Sequence, residues 1–193
     1  RALASASWGL MAPWMSDVAA ARASQSHAIN ARSESIHEKP TFRDAFRRTR
    51  CLIPVNGYYE WATALGKYPP KQPFYISPDA NISTRAFSVA GIWSRWVGPN
   101  GEAIESASII TREAVGDLAT IHSRMPVMLP EDRWDSWLDP TQRDPLEALE
   151  LLRVDKPDYG LKAEPVSSRV NLVANNGADL IIPITLGEPT TLF

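Results

Sequence analysis

The sequence predicts an α+β fold: one β-rich domain, built on an antiparallel sheet or an open barrel, with a few helices at its periphery. Short apolar runs of strand length recur between turn signals along most of the chain. Helical spacing is confined to a few stretches, and no linker or low-complexity tract interrupts them. The 193 residues, 44% of them hydrophobic, suffice for one core, so we expect residues 1–193 to form a single domain.

Four runs have the length and composition of strands, and they cover Cys51 to Val55, Pro73 to Ile76, Ala86 to Trp93 and Ala107 to Ile110. Glycine and proline cluster in 66–73 and in 98–101, where we expect hairpin loops. Because such short connections cannot carry parallel crossovers, the sheet is predicted to be antiparallel.

Helices are predicted in three places. One begins after Thr41, whose hydroxyl would cap it, because apolar residues follow at helical spacing and arginines stand where the end of the helix favours cations. Tryptophans and leucines at helical spacing predict two more, over Glu131 to Leu138 and Pro145 to Val154. We expect these helices to pack on the surface of the sheet.

Composition narrows the function classes. A net charge of -2 excludes a global positive field, so any nucleic-acid contact must come from a local patch. The single cysteine, Cys51, excludes an internal disulfide and fits a reducing compartment such as the cytoplasm or nucleoid. No stretch approaches the roughly 20 apolar residues of a membrane span, and the three histidines have no metal-ligand spacing.

Glu60 is the first candidate for chemistry. It follows the turn-forming pair Asn56-Gly57, which favours a tight hairpin or a bulge, and it lies among the aromatic residues of Tyr58-Tyr59-Glu60-Trp61. Flanking ring surface would raise its pKa and suit it to proton exchange near neutral pH. The alternative is an outward-facing strand residue that alternates with buried tyrosines.

His122 and Trp14 stand at junctions where side chains are readily exposed. His122 lies where a short helical pattern ends and Pro126 forces an extended continuation, which suits a general acid, although a lone histidine is more often a hydrogen-bonded structural residue than a catalyst. Trp14 follows Pro13 in a polar loop and is expected to be exposed for base stacking, whereas Trp93, Trp96, Trp134 and Trp137 are expected in the core. Cys51, in an apolar run, is expected to be a buried structural residue.

The order of these motifs resembles the SOS-response-associated peptidase family over nearly the whole chain. The matching segments include Trp8-Gly9-Leu10, Pro13-Trp14, Asn30-Ala31-Arg32-Ser33-Glu34, Arg50-Cys51-Leu52-Ile53-Pro54, Gly57-Tyr58-Tyr59-Glu60-Trp61, Ala90-Gly91-Ile92-Trp93, Ile121-His122 with Arg124 and Pro126, and Val170-Asn171. Each motif is short, but so many in one order make a chance match improbable.

The resemblance implies a sensor of abasic sites in single-stranded DNA. In the family a cysteine becomes the first residue after methionine removal; its amine attacks the open abasic sugar, and its thiol closes a thiazolidine ring, which is favoured because the closure is intramolecular. The catalytic residues implied here are Asn30, Glu60 and His122, which we expect to converge on one pocket. Glu60 would move protons, His122 would act as an acid, and Asn30 would orient the cysteine.

The same matching implies the DNA contacts, and we expect neither a cofactor nor a metal. Trp14 and Met15 would form a stacking wedge, and Arg32, Thr111 and Arg124 would bind phosphates. The sequence departs from the family because no cysteine stands near Arg1, so we expect an N-terminal segment to be absent from it. Ser123 also stands where relatives often carry an acidic or amide residue.

Two other functions remain open at this stage. A literal peptidase would use the same residue types around a cysteine nucleophile. A binding module for single-stranded DNA would need no nucleophile at all. Formation of a heat-stable complex that requires an abasic site separates the crosslinking reaction from both.

Overall fold

The computed structural model describes residues 2–63, 67–79, 87–154 and 160–186. These residues form two compact units: the first takes in the described residues of Arg1–Val55, Phe87–Glu113 and Arg124–Pro157, and the second takes in those of Asn56–Ala86, Ala114–Ser123 and Asp158–Phe193. The α+β class is confirmed. A single domain over residues 1–193 stays a prediction.

The strands of the described residues are β1 (Ser7–Trp8), β2 (Asn30–Arg32), β3 (Arg50–Val55), β4 (Tyr58–Trp61), β5 (Pro73–Pro78), β6 (Phe87–Val97), β7 (Ala103–Glu113), β8 (Arg124–Pro126) and β9 (Leu161–Pro165). The α-helices are α1 (Val18–Gln25), α2 (Arg43–Arg48), α3 (Trp134–Leu138) and α4 (Pro145–Leu151). Short 3₁₀ helices cover Gly116–Thr120, Glu131–Arg133, Ser168–Asn171 and Ala178–Ile181. All four predicted strand cores are confirmed, although Ala86 lies outside the described residues.

The first unit contains a six-stranded sheet centred on β7. β6 pairs antiparallel with both β7 and β3, and β8 pairs antiparallel with β7. The predicted antiparallel pairing is therefore confirmed for these strands, whereas β1 and β2 pair with β7 in parallel. The short-connection argument fails for these two strands because many elements separate them from β7 along the chain, which leaves ample length for a crossover.

One face of this sheet carries the core of the first unit. On β6 the residues Ala90, Ile92 and Trp96 are buried at positions that share this face, as the period of a strand requires. Aromatic and aliphatic residues of α2, α3 and α4 pack with Ala90 and Ile92 in one cluster, led by Phe46 and Trp137. On the opposite face Val89 and Thr111 are buried. The more accessible part of that face, here called the open face, carries Trp8, Asn30, Arg32, Trp93, Arg95, Glu105, Ala107 and Ile109 by the strand register.

Buried serines attach the sheet to the segment that follows β1. Ser94 donates its hydroxyl to the Met11 carbonyl at 2.5 Å, and Ser106 accepts the Met11 N–H at 2.9 Å. Ser108 donates to the Ala28 carbonyl. Since a buried hydroxyl without a partner is costly, these bonds fix where the segment lies.

The helices differ from their predictions at the ends. α2 is confirmed, but Phe42 rather than Thr41 is its N-cap residue, because a turn closed by the Phe42 and Arg43 N–H groups on the Lys39 carbonyl already includes Thr41. The pattern over 131–138 divides into a 3₁₀ turn and α3, and α4 ends three residues early, at Leu151. The unpredicted α1 is capped by Asp17, whose carboxylate accepts the Ala20 N–H at 2.7 Å.

The second unit contains a three-stranded antiparallel sheet in the order β4-β5-β9. Its core includes Ala62, Phe74 and Ile121. The antiparallel pairing of β4 with β5 confirms the predicted hairpin, although Gly66 lies outside the described residues. No described helix is long and apolar enough to cross a membrane.

The pair Asn56-Gly57 does not form the predicted hairpin, because β3 and β4, the strands on either side of it, belong to different sheets. Gly57 is required for a different reason. A Cβ atom at this position would overlap the Tyr75 ring, so the close approach of the backbone to that ring excludes a side chain.

Candidate functional site

Glu60 lies on the inward face of the β4-β5-β9 sheet. Its direct neighbour across the sheet is Phe74, and Tyr58, two residues earlier, faces Ile76; both neighbours are 1% exposed. Tyr59 and Trp61 alternate to the other face. The alternative interpretation, in which Glu60 points outward between buried tyrosines, is therefore wrong.

His122 stands beside this carboxylate. Its Nδ1 atom lies 3.9 Å from Glu60 Oε2, and the two side chains are about equally shielded from solvent. Burial raises the pKa of Glu60, and the nearby His122 and a hydrogen bond from the Trp61 N–H, 3.2 Å from Oε1, partly oppose the increase. A carboxyl group tuned in this way can take up and release a proton closer to neutral pH.

The backbone around His122 is held by the same unit. The His122 N–H donates to the Leu118 carbonyl at 3.1 Å, at the end of the 3₁₀ helix Gly116–Thr120, which confirms the predicted junction. The carbonyl of the buried Ile121 accepts the Thr63 N–H at 2.9 Å. Because Thr63 follows β4 closely, this bond joins the segments that carry Glu60 and His122.

Two interactions of strand β4 were not predicted from the sequence. Tyr58 shares the inward face with Glu60, and burial together with the Glu60 charge raises the pKa of its phenol. Trp61 donates its indole N–H to Asn171 Oδ1 at 2.7 Å. The alternation Tyr58-Tyr59-Glu60 would have identified the first residue once the buried face was known, but nothing local signals the contact with Asn171.

Asn30 and Arg32 lie on β2, in the first unit. They are exposed, and their partners on β7 are Ile109 and Thr111, so both belong to the open face. The structure brings Glu60 and His122 together within the second unit. That Asn30 joins them in one pocket stays a prediction.

Trp14 and Met15 differ in their surroundings. Trp14 is 61% exposed, which confirms the expectation from its position after Pro13. Met15 is half-buried against Met11, Ala21 and Trp96, and its carbonyl accepts the Trp96 indole N–H at 2.7 Å. Trp14 thus exposes its ring to solvent, whereas Met15 packs into the structure and anchors the loop. That the two residues form a stacking wedge for DNA stays a prediction.

Arg124 forms a charged cluster with the Asn30–Glu34 motif of the sequence. Its guanidinium donates to both carboxylate oxygens of Glu34, at 2.7 and 2.9 Å, and to the Thr111 carbonyl at 2.7 Å. This bidentate pairing lowers the pKa of Glu34. Thr111 is buried, and its hydroxyl lies 3.3 Å from Arg124. Phosphate binding by Arg32, Thr111 and Arg124 stays a prediction.

Cys51 lies in β3 as predicted, half-buried, and burial raises the pKa of its thiol to about 12. We expect it to react with a thiol reagent at pH 7.5 at least tenfold more slowly than a free cysteine, because the thiolate is the reactive species. Labelling the folded protein with a disulfide reagent and following absorbance measures this rate, and unfolding in urea provides the fully reactive control. Labelling of the folded protein at the rate of the control would make Cys51 a nucleophile candidate again.

Within the described residues, no cluster of three histidine, cysteine, aspartate or glutamate side chains could hold a metal ion. The polar groups gathered around Glu60 are instead a carboxyl group, an imidazole and a phenol. Such a set can transfer protons and donate hydrogen bonds.

Comparisons with known proteins identify the family. The family model described as SOS response associated peptidase (SRAP) matches residues 1–173. The abasic site processing protein YoqW of Bacillus subtilis is 36% identical over 174 residues, which cover 90% of this chain and 73% of that protein. The abasic site processing protein HMCES of Gallus gallus is 30% identical over 207 residues, with 98% of this chain and 60% of that protein covered.

A solved structure also resembles this chain in its fold. A crystal structure of a protein from Bacteroides thetaiotaomicron matches with a TM-score of 0.80 and 29% sequence identity, covering 92% of this chain and 75% of that one. The family match spans both units described above. The chain belongs to the SOS response associated peptidase family.

Proposed function

We propose that the full-length protein processes abasic sites in single-stranded DNA by forming a covalent crosslink through an N-terminal cysteine. The observation that carries the proposal is the pairing of His122 with Glu60, whose pKa is raised by burial, in a chain whose relatives are named abasic site processing proteins. The crosslink would be a thiazolidine.

The chemistry requires proton transfers that this pair can supply. The α-amine forms a C–N bond to the aldehyde carbon of the opened sugar, and the aldehyde oxygen leaves as water after it has gained two protons. The thiol sulfur then bonds to the imine carbon, and the thiol proton passes to the nitrogen. Glu60 would take the proton from the attacking amine, and His122 would donate one to the leaving oxygen. An orienting role for Asn30 stays a prediction.

The DNA contacts proposed for the same function lie in the first unit. Exposure favours Trp14 as a stacking side chain and Arg32 as a phosphate ligand. Arg124, with Thr111 beside it, would bind a phosphate only in competition with Glu34, which already holds both ends of its guanidinium. We therefore expect the salt dependence of binding to be shallow, because few phosphates are neutralised.

The test uses the protein expressed from its complete reading frame and an oligonucleotide that carries one abasic site. We expect a band of reduced mobility that survives heating in denaturant, requires the abasic site and disappears when borohydride first reduces the sugar aldehyde. An oligonucleotide with an intact base is the matched control. A band that forms equally with the reduced sugar would contradict the proposal, and cleavage of a peptide substrate without any crosslink would favour the peptidase alternative.

A further inference from the structure

Trp8 is exposed in an unusual way for a residue of a paired strand. It lies in β1 on the open face, yet 63% of its surface is accessible. Its indole N–H donates to the Ile29 carbonyl at 2.9 Å, which fixes the orientation of the ring and occupies its polar atom. The exposed part of the side chain is therefore a flat aromatic surface, and its only polar atom is already hydrogen-bonded within the protein.

The backbone that carries this ring is rigid. The Gly9 N–H donates to the Ala107 carbonyl at 2.8 Å, and the Leu10 N–H donates to the Ala28 carbonyl at 3.0 Å. Gly9 itself is buried with a φ of 100°, and a Cβ atom there would overlap the Gln25 carbonyl oxygen. The chain is thus held in one path directly after Trp8, so the ring needs no ordering when a ligand binds.

The neighbours of Trp8 suit a nucleotide. Its partner across the sheet is Ala107, whose small side chain leaves the ring uncovered on that side. Asn30 and Arg32 follow along the same edge of β7 and on the same face, and the carbonyl bound by the indole directly precedes Asn30. An aromatic ring, an amide and a guanidinium consequently stand in one line, the combination that binds a base together with its phosphate.

We propose that the exposed face of Trp8 is a stacking subsite for one nucleobase of the bound single strand. This inference rests on the proposed function, and it concerns a residue separate from the Trp14 wedge. The occupant is a base with its own stacking surface, since the abasic residue has none. Recognition is independent of sequence because every base presents a π face.

The test combines substitutions in the protein with changes in the DNA, as in a double-mutant cycle. The quantity measured is the non-covalent affinity of each protein for each oligonucleotide. The DNA is a set of oligonucleotides in which a tetrahydrofuran spacer, which lacks both base and aldehyde, replaces one nucleotide at a time. Trp8→Leu retains apolar bulk without a π face, and Trp8→Phe retains a ring without the N–H. Leu146→Ala is the control for lost apolar exposure, because Leu146 is 65% exposed on α4.

We expect Trp8→Leu to weaken binding of the undamaged strand about tenfold, and Trp8→Phe and Leu146→Ala to weaken it less than threefold. At one spacer position the affinity of the wild type should fall about tenfold relative to the undamaged strand, whereas the affinity of Trp8→Leu should not fall further. The inference would be overturned if the affinity losses from Trp8→Leu and from the spacer were additive at every spacer position. It would also be overturned if Trp8→Leu bound the undamaged strand like the wild type. Thermal melting of each variant confirms folding, and Trp8→Phe supplies the comparison if Trp8→Leu does not fold.

Crosslinking by the wild type is recorded on the same samples. If the wild type crosslinks abasic DNA but the Trp8 penalties are additive, the stacking subsite is wrong and the proposed function stands. If the coupling appears without any crosslink, the proposed function is wrong and the stacking subsite stands.

Discussion

Glu60→Gln is expected to reduce the rate of crosslinking by about 10² to 10⁴-fold, the usual contribution of a group that transfers protons in the transition state. The glutamine is close in shape but cannot accept a proton from the attacking amine. Single-turnover crosslinking to an abasic oligonucleotide measures the effect. Glu164→Gln is the matched control, because Glu164 lies on β9 opposite Tyr75, on the other face of the same sheet, and pairs with Lys162 at 2.9 Å.

Relative to the wild type, the Glu60→Gln variant is expected to become more stable as the pH rises. Folding raises the pKa of Glu60 above its ordinary value of 4.5. At a pH between the unfolded value and the raised folded value, the folded state therefore binds more protons than the unfolded chain. The stability of the wild type therefore falls as the pH rises from about 4.5 through the raised pKa, and the variant lacks this loss.

Urea unfolding between pH 4 and pH 8 measures this difference in the free energy of unfolding. We expect Glu60→Gln and the wild type to differ least at pH 4 and most near pH 8, with no such trend for Glu164→Gln. A Glu60→Gln variant that loses stability with pH as the wild type does, or that crosslinks at the wild-type rate, would remove Glu60 from its assigned role.

Arg50→Met is expected to cause a large loss of stability in the first unit. The guanidinium of the buried Arg50 donates to five carbonyl oxygens of the described chain, those of Phe46, Arg47, Trp137, Asp139 and Gln142, at 2.7 to 3.2 Å. It also lies 5.5 Å from the centre of the Trp137 ring. Burial lowers the pKa of Arg50, but at neutral pH an arginine remains charged.

Removing this group leaves several shielded carbonyl oxygens without a donor, so we expect about 3–5 kcal/mol of destabilisation. Arg50→Lys should fall between, because an ammonium group has three N–H donors and lacks the fork that reaches both helix ends. The midpoint of urea unfolding at pH 7 provides the measurement. Arg95→Met, at an exposed position on β6, should change it by less than about 0.5 kcal/mol. If Arg50→Met does no more than this control, the bonds contribute little to stability.

The cores of β3, β5, β6 and β7 could be predicted from the sequence because apolar runs of strand length between turn residues are a local signal. The pairing of Glu60 with His122 was foreseen only through the order of motifs along the chain. No local sequence signal near Glu60 indicates which face of β4 is buried. The buried face depends on the register of β4 with β5, in which Glu60 is paired with Phe74. The helix α1 was missed because its alanine-rich sequence has little apolar periodicity, although Asp17 was an available capping signal.

The sequence by itself determined the family, the β-rich class and the residues able to transfer protons, because each is encoded in residue types and their order. Tertiary structure alone decided that β1 and β2 pair in parallel with β7, that Arg50 binds helix-end carbonyls, and that Trp8 stays exposed beside Asn30. The physical reason is distance along the chain. Local patterns set propensities, whereas register, burial and partner choice come from contacts between residues far apart in sequence, whose free energies appear only when the chain is folded.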